Sequence, residues 1–195
     1  MRVRLGLVLA SLALVSCTRH AAKAPEGIRV LDEDVQLVRG EHRDSARREI
    51  AVDRGATFVA FVHEEDCDVT LRLATEDGAA ASEVNNSMYG EALEVAVLDV
   101  PARTRLIVSV DSAQDFDVPC HSRVEVQRYD DSIAANPRVA ARLDALRSWS
   151  TAMRTSRTVE SSRTQGLGQL GHAAEQLESG SGDRWLAAWA RLERA

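Results

Sequence analysis

The feature that most constrains this chain is a change of hydrophobic period at Asp130. Before it, from residue 28 to residue 128, short aliphatic and β-branched runs follow one another with turn residues between, at intervals of roughly eight to twelve residues. After it, apolar residues recur at helical spacing. Residues 57–62 are almost wholly apolar and read as a central strand covered on both faces. Val69, Leu71 and Leu73 alternate with other residues, as do Leu93, Val95 and Val97, then Leu106, Val108 and Val110, then Val124 and Val126, so each run has one face to bury. Residues 48–52 add a strand that ends in the turn at 53–55. Shorter β signals lie at 28–30 and 35–37, and the polar run 81–88 reads as an edge strand or a loop. Seven or eight strands in about 100 residues predict an antiparallel β-sandwich of jelly-roll or immunoglobulin-like type.

Beyond Asp130, Asn136 is a good N-cap and Pro137 suits the first helical position. Val139, Leu143, Leu146 and Met153 then share one face, with Trp149 at its border. A second helical pattern runs through Val159, Leu167, Leu170, Ala174 and Leu177, its start weakened by Gly166, Gly168 and Gly171. Residues 179–182 break it, and Asp183 caps a short last helix carrying Trp185, Leu186, Trp189 and Leu192. The predicted class is therefore α+β, with a sandwich over 28–130 and a helical hairpin region over 136–195. A helical array that stops after one and a half hairpins leaves an apolar face without a neighbour. Its cover is the sandwich, a second copy or another protein. Trp149, Trp185 and Trp189 are core residues by their spacing, and that open face makes them candidate partner-binding residues as well.

The first residues carry two arginines and then an apolar run too short to span a bilayer, which is the pattern of a cleaved signal over residues 1–16. Cys17 directly follows Leu14, Val15 and Ser16. This arrangement resembles the lipobox of bacterial lipoproteins, which implies that Cys17 is lipidated and becomes the new N-terminus. The alternative is an ordinary signal cleaved nearby, with Cys17 a stray thiol. Residues 17–27 are small and polar, and read as a tether. An aspartate after Cys17 would resemble the inner-membrane retention signal of such lipoproteins; Thr18 stands there instead, so the expected location is the cell envelope, lipid-anchored, with the outer membrane favoured if the cell has one.

Cleavage would leave about 179 residues with a net charge near −8, since the whole chain stands at −6 and two of its 24 basic residues lie in the signal. An acidic first part meets a mildly basic helical part. The two either dock on each other or are ordinary solvated surfaces. This balance gives no sign of nucleic-acid binding, and 4% aromatic residues argue against a stacking platform for bases or sugars. Export puts the two remaining cysteines, Cys67 and Cys120, in an oxidising compartment, where a Cys67–Cys120 disulfide is expected and two free buried thiols are the alternative.

Residues 55–62 and 67–73, the Asp77 and Gly78 turn, and residues 106–110 together resemble the pre-peptidase C-terminal type of β-sandwich. Asp66, Asp68 and Val69 stand where that family begins a strand, and Val100, Pro101 and Ala102 stand at its late turn. The resemblance covers roughly residues 45–129. The whole layout also resembles the front end of exported tetratricopeptide-repeat proteins that carry a caspase-like CHAT domain, with residues 137–195 matching the first repeats. The remaining repeats and the protease-like domain do not follow, so no activity carries over.

No nucleophile motif flanks any of the five histidines, and the pairing of Cys120 with His121 is better explained by the disulfide, so no catalytic residue is expected. The acidic loop at 63–68 and the loop holding Asp111, Asp115 and Asp117 make Asp66, Asp68, Asp115 and Asp117 candidate calcium ligands if the loops converge. Zinc would use His63 and His121 instead. No other cofactor is implied. The expected function is a non-catalytic protein-interaction or scaffold module, held to the membrane by lipid and reaching a protein partner through the helical segment. The rivals are a calcium- or glycan-binding sandwich and a truncated accessory relative of an exported repeat-bearing CHAT-type protease.

Overall fold

The structure is a computed structural model of the chain, and it describes residues 25–37, 45–65, 68–85, 92–112, 120–155 and 160–192. Eight strands run in chain order: β1 Ile28–Leu37, β2 Ser45–Val52, β3 Ala56–Glu64, β4 Val69–Thr75, β5 Ala81–Val84, β6 Leu93–Val100, β7 Thr104–Ser112 and β8 Cys120–Tyr129. They form two four-stranded antiparallel sheets, ordered β1-β8-β3-β6 and β2-β7-β4-β5. The sandwich core is built from the inward residues that alternation marks out, among them Phe58, Val62, Leu71, Leu73, Leu98, Leu106, Val108, Val124 and Val126.

The edges differ in detail from the sequence expectation. The signals at 28–30 and 35–37 are one strand, β1, with a register shift between Arg29 and Leu31. Its charged middle is held because Asp32 accepts from Arg123 Nε and Nη2 on β8, at 3.0 and 3.1 Å. Of the polar run 81–88, residues 81–84 form the edge strand β5 beside β4.

Helices follow: α1 Asp131–Ala134, α2 Pro137–Thr155, α3 Glu160–Glu175, a π-helical turn Gln176–Ser181, and α4 Arg184–Leu192. The turn α1 has no signal in the apolar pattern. It is set by Asp130, whose carbonyl accepts from Ile133 and Ala134 N–H while its carboxylate binds Arg54 at 2.7 Å and Arg128 at 3.0 Å. Asn136 accepts from the Arg138 N–H at 3.0 Å, which opens α2 beside Pro137 as its sequence predicts.

The helices lie on the β1-β8-β3-β6 sheet, which we call the covered sheet. Its outer side carries Val59 and Phe61 on β3 with Val95 and Val97 on β6, all buried, because α2 packs against β6. This is why β3 is apolar almost along its length and why both faces of β6 are buried. A polar clamp pins the contact at the sheet edge, where Thr57 Oγ1 and Arg147 Nη2 both donate to Asp99 Oδ1, at 2.6 and 2.9 Å. Sandwich and helices share one continuous cluster of buried side chains. The helical face that lacked a neighbour in sequence is thus largely covered by the sandwich.

Candidate functional site

At the junction of sheet and helices, β1, β3, β8, α2 and the start of α4 enclose a small polar cleft. Alternation along β3 puts His63 on the same side as Phe61, and along β8 it puts Glu125, Gln127 and Tyr129 there too. Hydrogen bonds run up this row: Tyr129 Oη donates to Gln127 Oε1 and Gln127 Nε2 to Glu125 Oε1, each at 2.5 Å, while Arg29 Nε lies 3.3 Å from the same Glu125 oxygen. Burial pushes the Tyr129 phenol above its ordinary value. Gly27 sits against this tyrosine so closely that a Cβ there would lie 2.8 Å from its ring, which fixes where the tether meets the body.

The base of the cleft is an ion pair between Arg142 of α2 and Asp183, 3% and 1% exposed, with Nε and Oδ2 3.4 Å apart. Local chain geometry places Asp183. The π-helical turn ends at Gly182 in the left-handed region, φ 75°, the Asp183 N–H donates to the Leu177 carbonyl at 2.7 Å, and its Oδ1 accepts from the Leu186 N–H at 3.2 Å. Asp183 is therefore the cap of α4 that the sequence predicts, and also the partner of a buried arginine, which the sequence does not show. Arg142 Nε and Nη1 and Asp183 Oδ2 make no hydrogen bond.

The lip of the cleft is aromatic. His63 and Trp185 have ring centroids 5.6 Å apart, and Trp185 meets Trp189 edge to face at 6.2 Å. Burial holds the His63 imidazole below its ordinary value, opposed by Glu125 and Glu65 and aided by Arg123. As pH falls through the ordinary imidazole range, the unfolded chain takes up a proton that the folded chain refuses, so stability falls with pH. The melting temperature is expected to drop between neutral pH and about pH 5, and His63→Gln to flatten that dependence. An unchanged slope in the variant would assign the acid sensitivity to other groups.

The cleft holds about 100 Å³, room for about three water molecules at ~30 Å³ each and well below the ~300 Å³ at which ligand pockets begin. Its aromatic rim, rather than its interior, is the surface on offer. Trp185 is 53% exposed and Leu192 65% exposed, with Trp189 partly buried between them. This differs from the expectation that helical spacing makes Trp185 a core residue. α4 buries a neighbouring stripe, Leu186, Ala187 and Ala190, and turns Trp185 outward while Trp189 packs partly against the core. Trp149 is the reverse case. It is fully buried in the shared core, so it cannot act as a partner-binding residue.

Of the candidate metal ligands, Asp68 is buried at the foot of β4, and Asp66, Asp115 and Asp117 lie outside the described residues. Among the described residues no three His, Cys, Asp or Glu side chains gather as a metal site, His63 and His121 included. Cys120 is buried at the start of β8, whereas Cys17 and Cys67 lie outside the described residues.

No family model and no curated protein matches the chain. Similar solved structures include the pre-peptidase C-terminal domain of collagenase from Bacillus anthracis, 13% identical, covering 52% of this chain and 90% of that one with a TM-score of 0.37. Another is PliG of Aeromonas hydrophila, a periplasmic inhibitor of g-type lysozyme, at 13% identity, 55% and 90% coverage and a TM-score of 0.35. A third is the carbohydrate-binding module CBM36 in complex with calcium and xylotriose, at 7% identity, 55% and 97% coverage and a TM-score of 0.31. At these scores the likeness carries nothing about function, and the sandwich rests on its own ladder pairing.

Proposed function

We propose that this chain is a non-catalytic lipoprotein of the cell envelope, anchored through Cys17, stapled by a Cys67–Cys120 disulfide, and working as a docking module. Its contact element is the helical segment, through the ridge of Trp185, Trp189 and Leu192 on α4. The observation that carries this reading is the exposure of two large apolar side chains, Trp185 and Leu192, on a helix whose other stripe is already committed to the core. Apolar side chains exposed singly are ordinary, but a contiguous ridge on one helix marks a contact surface. The shared core makes the helices a fixed mount for the ridge rather than a separate arm.

Two experiments test the reading. Palmitate labelling of the expressed chain is expected to be lost on Cys17→Ser, and labelling that persists would remove the anchor from Cys17. A photo-reactive phenylalanine analogue at position 185 is expected to form adducts in intact envelopes. The same analogue at His172, exposed on α3, is expected to form few. No adduct at 185, or equal adducts at both positions, would take the docking role away from the ridge.

A further inference from the structure

We propose that the ridge on α4 lies on a lipid surface, so that the protein docks flat on the membrane that holds its anchor. This rests on the anchoring reading and goes further by naming what the ridge touches. Trp185, Trp189 and Leu192 are spaced four and three residues apart, which aligns them along one side of the helix. Arg184 and Arg191 flank them, both exposed, and Arg191 is also paired with Glu178. Tryptophan and leucine bordered by arginine is the chemistry of a helix lying in the headgroup region, with rings in the acyl boundary and guanidinium groups among phosphates.

Position supports the same partner. Glu26 and Arg29 line the cleft whose lip is Trp185, so the described chain begins beside the ridge. From Cys17 to Glu26 the chain reaches at most about 30 Å fully extended. A lipid at Cys17 therefore holds this side of the body close to the bilayer and raises the local concentration of membrane at the ridge. A stable protein interface needs about 800 Å² from each side, more than three side chains on a nine-residue helix supply. A bilayer asks for no matching shape, and the tether makes a small patch sufficient.

The test uses the full lipidated protein reconstituted in vesicles of phosphatidylethanolamine and phosphatidylglycerol, with part of the lipid brominated near the headgroup. The protein is expected to float with the vesicles, and the brominated lipid to quench its tryptophan emission, with Trp149 left as the unquenched remainder. Leu192→Asp keeps all three tryptophans and alters an exposed position. It is expected to float equally and to lose most of the quenching. A chain that does not float overturns the anchoring itself. A chain that floats without quenching overturns only the docking. If aqueous acrylamide then quenches the ridge freely, it faces water; if acrylamide protection rises with protein density, a second copy covers it.

Discussion

Replacing both Cys67 and Cys120 with alanine is expected to lower the free energy of unfolding by about 4 kcal/mol, the loop-entropy value for roughly 50 bridged residues. In a chain of this size that is a fall of about 10 °C in melting temperature. The described residues place the end of β3 beside the start of β8. Glu64 is opposite Ser122 in the β3–β8 ladder, and the Glu65 N–H donates to the His121 carbonyl at 3.3 Å. The connection that follows β3 is thereby fastened to the start of β8, where Cys120 is 1% exposed. A Cys67–Cys120 bond would tie the start of β8 to the segment between β3 and β4. Urea unfolding of the oxidised protein, the reduced protein and the double variant would separate the bond from packing losses at Cys120. Equal stability of oxidised and reduced protein would show that no such bond supports the fold.

The second large effect is expected at the buried pair beneath the cleft. Asp183→Ser keeps a capping oxygen for α4 but leaves the Arg142 guanidinium in the core without its counter-charge. Removing one partner of a buried pair costs about 3–5 kcal/mol, whereas replacing both with groups that pack well is close to neutral. The single variant should therefore be strongly destabilised, and Arg142→Met added to it should restore most of the loss, giving a large coupling energy in the cycle. If Asp183→Ser cost under about 1 kcal/mol, the pair would be behaving like an exposed one, and the buried geometry would be wrong.

The strands with clear alternation and one buried face, β4, β7 and β8, were legible because their periodicity reports that face, whereas β6 alternates in sequence yet is buried on both sides. β3 was legible because it lacks alternation, being covered on both sides. The edge strands were harder. The middle of β1 carries Asp32, Glu33 and Asp34, and it is a strand through its ladder with β8, with Asp32 paired to Arg123 and Glu33 to Arg48 at 2.6 Å, none of which a local pattern contains. The short turn α1 is held by the carbonyl of Asp130, whose carboxylate is fixed by Arg54, 76 positions earlier, and by the nearby Arg128 of β8, so it has no apolar signature.

The site was less legible than the fold. Asp183 could be read as a cap from its neighbours, but its pairing with Arg142, 41 positions earlier, is a product of how α4 packs. The tryptophans show the limit of spacing as a guide. Trp149, at the border of its stripe, is wholly buried because the covered sheet closes over α2. Trp185 and Trp189 share a face as expected, yet α4 turns Leu186, Ala187 and Ala190 to the core, leaving Trp185 exposed and Trp189 only partly packed against it. Helical period tells which residues go together, not which of two adjacent apolar stripes finds a neighbour.

The most direct measurement is hydroxyl-radical footprinting of the three tryptophans in native envelopes, compared with the same protein released in detergent and exchanged into water-soluble carriers. Trp185 and Trp189 should be protected in the envelope and become oxidised on release, while Trp149 stays unmodified in both. Equal oxidation of Trp185 in the two states would contradict the docking role of the ridge.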